Sequence, residues 1–91
     1  MIDANKLREE KKRRDNLKYN TFKNILNIIN KKIIIANHGN SSEIVYQVPQ
    51  FLLGHPTYKI NECVDFLIEK LNESNYITTF YNPNILVISW K

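Results

Sequence analysis

His38, His55 and Cys63 are the side chains with the strongest capacity for metal binding or covalent chemistry in this sequence. Their spacing matches none of the compact zinc patterns, and a four-ligand site would need an added carboxylate that no motif supplies. His38 beside Gly39 reads as a loop residue, His55 before Pro56 as a turn residue, and Cys63 as a buried helix residue. A nucleophilic Cys63 would also need a base, an orienting group and an oxyanion site, and no motif marks them. Glu62, Asp65, Glu69 and Glu73 recur near one helical face, where two carboxylates could act as acid and base. Their spacing fits a solvated face, or one that receives a basic partner, better. Gly39 and Gly54 are isolated, without the glycine-rich run and following Lys and Ser or Thr of a phosphate-binding loop. The sequence therefore points away from an enzyme, and no cofactor or metal is expected.

Charge is more informative. Residues 1–32 hold ten Lys or Arg against Asp3, Glu9, Glu10 and Asp15, a local charge of +6, whereas the remainder holds three lysines against five acids, or −2. Lys11, Lys12, Arg13, Arg14 and Lys18 form the densest part, flanked by Lys6 and Arg8. Such a cluster can contact several phosphates, which orients a protein on nucleic acid without reading bases. It can equally meet an acidic protein face or keep a helix surface in water.

These groups must be positioned by a small fold. Ninety-one residues allow one domain with a modest core, so partner contacts add usefully to its stability. The single cysteine excludes an intramolecular disulfide. Charges follow Met1 closely in place of a signal-peptide run, and no apolar stretch approaches the roughly 20 residues of a stable membrane span.

Leu17, Tyr19, Phe22, Ile25, Leu26, Ile29 and Ile33 recur at helical spacing, with lysines and asparagines between them. The upstream REEKKRRD is helix-compatible but has few apolar side chains, which predicts a basic helical extension over 1–18 and a compact domain over 19–91. Asn37, Gly39 and Asn40 favour a break after the three isoleucines. EIVYQ alternates as a short strand before Pro49, and Phe51 to Leu53 could form one helical turn before Gly54. Val64, Leu67, Ile68 and Leu71 define a second helix, with Asn61 as its expected N-cap and Asn72, Ser74 and Asn75 favouring its end. Around Asn82, Pro83 and Asn84 the period becomes extended, which predicts a hairpin; its second strand, ILVIS, is apolar on both faces and should be central or covered by another element.

The expected architecture is α+β: a long basic N-terminal helix, a short strand, a helical turn, a second helix and a C-terminal β-hairpin. This order fits a winged-helix-like domain and, nearly as well, a generic small α+β domain. Phe51, Tyr58, Tyr81 and Trp90 are the expected protein-interface anchors, while Lys11, Lys12, Arg13, Arg14 and Lys18 are the expected contacts to nucleic acid or an acidic partner.

Val48, Pro49, Phe51, Gly54 and Pro56, then Cys63, Leu67, Ile68 and Leu71, then Pro83, Asn84 and Ile88 to Trp90 make up three motifs. Together they resemble a small, poorly characterised family encoded by large nucleocytoplasmic DNA viruses, over about Tyr46 to Trp90. The family pattern has a glycine just after the second helix, where this chain has Asn75. The resemblance implies a non-enzymatic, virion-associated or core-related structural protein in the virion or infected host-cell cytoplasm. The expected partner is another viral protein or a second copy of the chain; the alternative is a winged-helix-like nucleic-acid-binding protein using phosphate contacts.

Overall fold

A computed structural model describes residues 3–55 and 57–91. Pro56, one of the residues of the first motif, lies outside them. The order is α1 (Ala4–His38), β1 (Glu43–Gln47), α2 (Ile60–Glu73), β2 (Ile77–Tyr81) and β3 (Ile85–Ser89).

Helix α1 is continuous for 35 residues, about 52 Å of rise, and accounts for most of the molecule's 60 Å long axis. At its start the Asp3 carboxylate accepts from the Asn5 N–H at 3.0 Å. Ala4 to Leu17 are all exposed, and the buried stripe begins only at Thr21, continuing through Phe22, Ile25, Ile29 and Ile33. Leu17 and Tyr19, expected in that stripe, stay largely exposed at its edge, since the packing partners of α1 begin opposite Tyr19. There the Tyr19 ring meets Phe66 edge-on at 5.3 Å, and the Lys23 ammonium lies 4.7 Å from the Tyr19 ring centre.

Both helices end by the same device. Asn40 and Asn75 take left-handed backbone conformations (φ 66° and 69°), and the next N–H in each case returns to a carbonyl of the last turn: Ser41 to Ala36 at 2.9 Å, Tyr76 to Leu71 at 3.0 Å. Asn75 thus takes the left-handed geometry that glycine most readily supplies at a helix end. The start of α2 differs from expectation. Lys59, not Asn61, is the N-cap, and no side chain caps it. The half-buried Ile60 begins the helix, which places Asn61 inside the first turn.

The sheet order is β1-β3-β2, antiparallel throughout, so the strand apolar on both faces is central. With α1 and α2 packed on one face, the α+β arrangement is consistent with a winged-helix-like topology, one of the two that the element order fits. The helical turn expected around Phe51 to Leu53 does not form; Leu52 to His55 instead make a tight non-helical turn closed by His55 N–H to Leu52 C=O at 3.1 Å, because Gly54 takes φ 83°, outside the helical region. Phe22, Ile25, Ile29, Val64, Leu67, Leu71, Leu86 and Ile88 form the centre of the core.

Polar groups staple the irregular segments to this core. The buried Thr21 hydroxyl donates to Leu17 C=O at 3.0 Å, and its oxygen lies 3.0 Å from His55 Nδ1. One hydroxyl proton cannot serve both, so the geometry assigns the proton at Nδ1 to His55, which donates to Thr21. Replacing Thr21 by Val keeps the shape and removes this link between α1 and the loop. Urea unfolding of Thr21→Val should show a loss of about 1 kcal/mol, small because the half-exposed His55 can turn to water.

Candidate docking surfaces

The basic residues of α1 do not all face the same way. Lys11, Arg14 and Lys18, with Asp15, share one side of the helix because their spacing brings them round within two turns. Opposite them runs the segment Thr57 to Lys59 that leads into α2. Together these residues line an open cleft of about 550 Å³. Lys18 is braced by Glu62 at 3.6 Å. Among the described residues, no acid lies within ion-pair distance of Lys11, Arg14 or Lys59. Lys12 and Arg13 are exposed on α1 but do not line the cleft. Tyr58 forms its floor, buried, with its ring edge-on to Phe22 at 5.6 Å and its hydroxyl donating to Pro49 C=O.

That placement corrects the role expected for Tyr58. Its ring is used inside the domain and has no free face for a partner. Trp90 is half-buried: its indole N–H donates to Asn37 at 3.2 Å and its ring meets Tyr76 edge-on, tying the end of β3 to the end of α1. Phe51 and Tyr81 remain exposed, at 66% and 57%.

Tyr81 belongs to a larger surface. The helices cover one face of the sheet, and strand register assembles the other from three rows: Glu43, Ser89 and Ile77; Val45, Val87 and Thr79; Gln47, Ile85 and Tyr81. Five of these nine side chains are apolar and only Glu43 is charged. Val45 and Ile77, at the two edges, are 66% and 60% exposed. The alternation of EIVYQ already pointed Val45 away from Tyr46, but the row it completes depends on strand pairing.

The groups with catalytic potential are separated or buried. Cys63 is fully buried, and burial pushes its thiol up to about 12. His55 is held by Thr21, and His38 is exposed at the end of α1. No group of three or more His, Cys, Asp or Glu that could hold a metal ion occurs among the described residues. Glu62, Asp65, Glu69 and Glu73 are exposed on α2, with Glu73 3.7 Å from Lys70. No helix of the described residues is long and apolar enough to cross a membrane.

Residues 2–72 match the model of a family of unknown function, DUF5759. The chain belongs to that family. The chain also has a homologue in a nucleocytoplasmic DNA virus: it is 36% identical over 80 residues to "Uncharacterized protein R447" of Acanthamoeba polyphaga mimivirus. That alignment covers 84% of this chain and 65% of the relative, so the chain spans just under two thirds of the relative's length. No solved structure matches the chain. The viral family expected from the motifs is thus the one found, although the DUF5759 match has a different extent. It takes in the whole of α1 and every residue lining the cleft, and ends in α2 before the hairpin.

Proposed function

We propose that this DUF5759 chain is a non-enzymatic protein-interaction module of a virus, associated with the virion, that docks through its outer sheet face. Antiparallel sheets with one face on a core normally alternate to a polar outer face. Here the central strand places Ile85 and Val87 outward, and Val45, Ile77 and Tyr81 extend the apolar surface to both edges. A contiguous apolar surface left open to water marks an interaction site. Because the face carries one charge, the fitting partner is another viral protein with an uncharged, apolar docking face; charged surfaces would lose hydration there without compensation.

Val45→Lys and Tyr81→Lys test this in the full chain. Both side chains are largely exposed, so helical circular dichroism and unfolding should stay close to those of the parent. In pull-downs from infected cells treated with nuclease, each should lose the bound viral protein by roughly tenfold or more, because a lysine charge on the apolar face would have to be desolvated there without a partner. Asn27→Lys, on the exposed side of α1, should retain it. Capture that survives both sheet substitutions, or that vanishes with nuclease, refutes the docking surface. Sedimentation of the purified chain distinguishes self-association: a dimer abolished by Val45→Lys would make a second copy the occupant.

The cationic cleft favours a second reading, nucleic-acid binding on the winged-helix-like frame, restricted to phosphate contact. Exposed Glu62, Asp65, Glu69 and Glu73 on α2 would repel a duplex from the helix that such folds commonly insert into the major groove.

A further inference from the structure

The cleft between α1 and the Thr57–Lys59 segment, resting on that second reading, narrows it to one site and one ligand chemistry. We infer that Lys11, Arg14 and Lys59 converge there to hold consecutive phosphates of a nucleic-acid backbone, with Thr57 as a neutral hydrogen-bond donor.

Three observations combine. First, the cations come from two segments far apart in sequence and are brought round one cavity of about 550 Å³, whereas helix charges serving only solubility need no opposing wall. Second, Glu62 occupies Lys18, so the charges left for a ligand are Lys11, Arg14 and Lys59; Asp15 offsets part of them and leaves the cleft cationic. Third, the exposed basic residues from Lys6 through Arg8, Lys11, Lys12 and Arg13 to Arg14 run along about 12 Å of helix axis, longer than a single phosphate group. A repeating anion fits this length better than one small phosphate compound.

The walls also distinguish phosphodiester from acidic peptide. A protein-protein contact gains from an apolar centre, but Tyr58 is the sole aromatic lining the cleft and it is buried, with its hydroxyl already bonded to Pro49. The other lining side chains are Lys, Arg, Asp and Thr, whose polar ends offer charge and hydroxyl, which suits a backbone whose affinity is electrostatic and sequence-independent.

Fluorescence anisotropy of the full chain with mixed-sequence single-stranded and duplex oligonucleotides, across a salt series, tests the site. The triple variant Lys11→Gln, Arg14→Gln, Lys59→Gln should bind about tenfold or more weakly, with the salt slope reduced by about two on single strands and about three on duplex. A displaced triple variant, Lys23→Gln, Lys31→Gln, Lys32→Gln, removes the same charge elsewhere on α1 and should lose less than about threefold. A poly-glutamate peptide should bind far more weakly than the oligonucleotide, and inorganic phosphate at matched phosphate concentration should not displace it. Oligonucleotide binding lost equally in both triples overturns the cleft while leaving nucleic-acid binding intact. Absence of oligonucleotide binding at low salt overturns both, as does equal affinity for poly-glutamate. Displacement by inorganic phosphate overturns the backbone as ligand.

Discussion

Raising the pH from about 9 to about 12 should unfold this chain cooperatively, because its core holds weak acids that cannot ionise where they sit. Cys63 on α2 is fully buried, and burial moves its thiol from an ordinary value of 9.0 up to about 12. Tyr58 rises from 10.0 to about 12, first through burial and then through its neighbours Cys63 and Tyr46, and burial raises Tyr46 as well. At neutral pH these groups keep their protons whether folded or not, so stability is complete. Above about 9 the unfolded chain releases the thiol proton and then the phenol protons while the folded chain retains them, and each release favours unfolding. Each unit of displacement is worth about 1.4 kcal/mol, so Cys63 alone withdraws several kcal/mol across this window. That is comparable with the whole stability of a small domain, about 5 kcal/mol at the low end. The midpoint of thermal unfolding, followed by helical circular dichroism, should fall steeply between these pH values. Cys63→Ala should delay the fall by about one pH unit, until the tyrosines begin to titrate. A midpoint unchanged up to pH 11, or the same alkaline profile in Cys63→Ala, would remove burial of the thiol as the cause.

Those buried acids were only partly legible in the sequence. Cys63 sits on a helical stripe whose period alone predicts burial, and the same logic located the core residues of α1 from Phe22 to Ile33. The hairpin and its central strand were legible for the complementary reason: ILVIS has no polar face to give to water. Periodicity fails where a residue's fate is set by a distant segment. Tyr58 lies in no repeating pattern, and its burial follows from Phe22 and the Pro49 carbonyl reaching it from two other parts of the chain. Thr21 interrupts an apolar stripe by type, yet its hydroxyl is satisfied internally by Leu17 and His55.

The candidate surfaces divide the same way. Lys11, Arg14 and Lys18 stand out as a cluster, but nothing local reveals Lys59 as their counterpart; only the approach of the α2 entry to α1 brings it there. The open sheet face is likewise a product of register, since Val45, Val87 and Thr79 share a row only after β3 inserts between β1 and β2. Helix α1 joins the two surfaces mechanically. Its exposed first half carries the basic cleft wall, its second half packs under β1 and α2, and no break in helix separates them. A ligand on the cleft and a partner on the sheet would therefore be carried by one continuous element.

Asn84→Asp should destabilise the chain by about 3 kcal/mol at pH 7, more than a hundredfold in the folding equilibrium, although it exchanges one amide for a carboxylate of equal size. Asn84 looks like an ordinary turn residue beside Pro83, but its side chain is buried and its amide donates to Val48 C=O at 3.0 Å. Its own backbone carbonyl accepts from Val48 N–H at 2.8 Å, so the hairpin loop is bonded twice to the end of β1. An ionised carboxylate at this position would have no proton to donate and would set a negative charge against the Val48 carbonyl. Burial and that contact must raise its pKa in the folded chain above the unfolded value, so the ionisation penalty is full above the folded pKa and fades as pH falls through it. Urea unfolding at pH 7 and pH 4 should accordingly show the gap to the parent narrowing in acid, whereas Asn84→Ala should lose about 1–2 kcal/mol with no such change. A gap of equal size at both pH values would mean that the lost donor, not the buried charge, sets the cost. The same substitution reaches the docking surface, because Val48 and Asn84 directly follow and precede the paired residues Gln47 and Ile85, which share their outer row with Tyr81. Loosening that end should weaken capture of the sheet partner even where the domain remains folded.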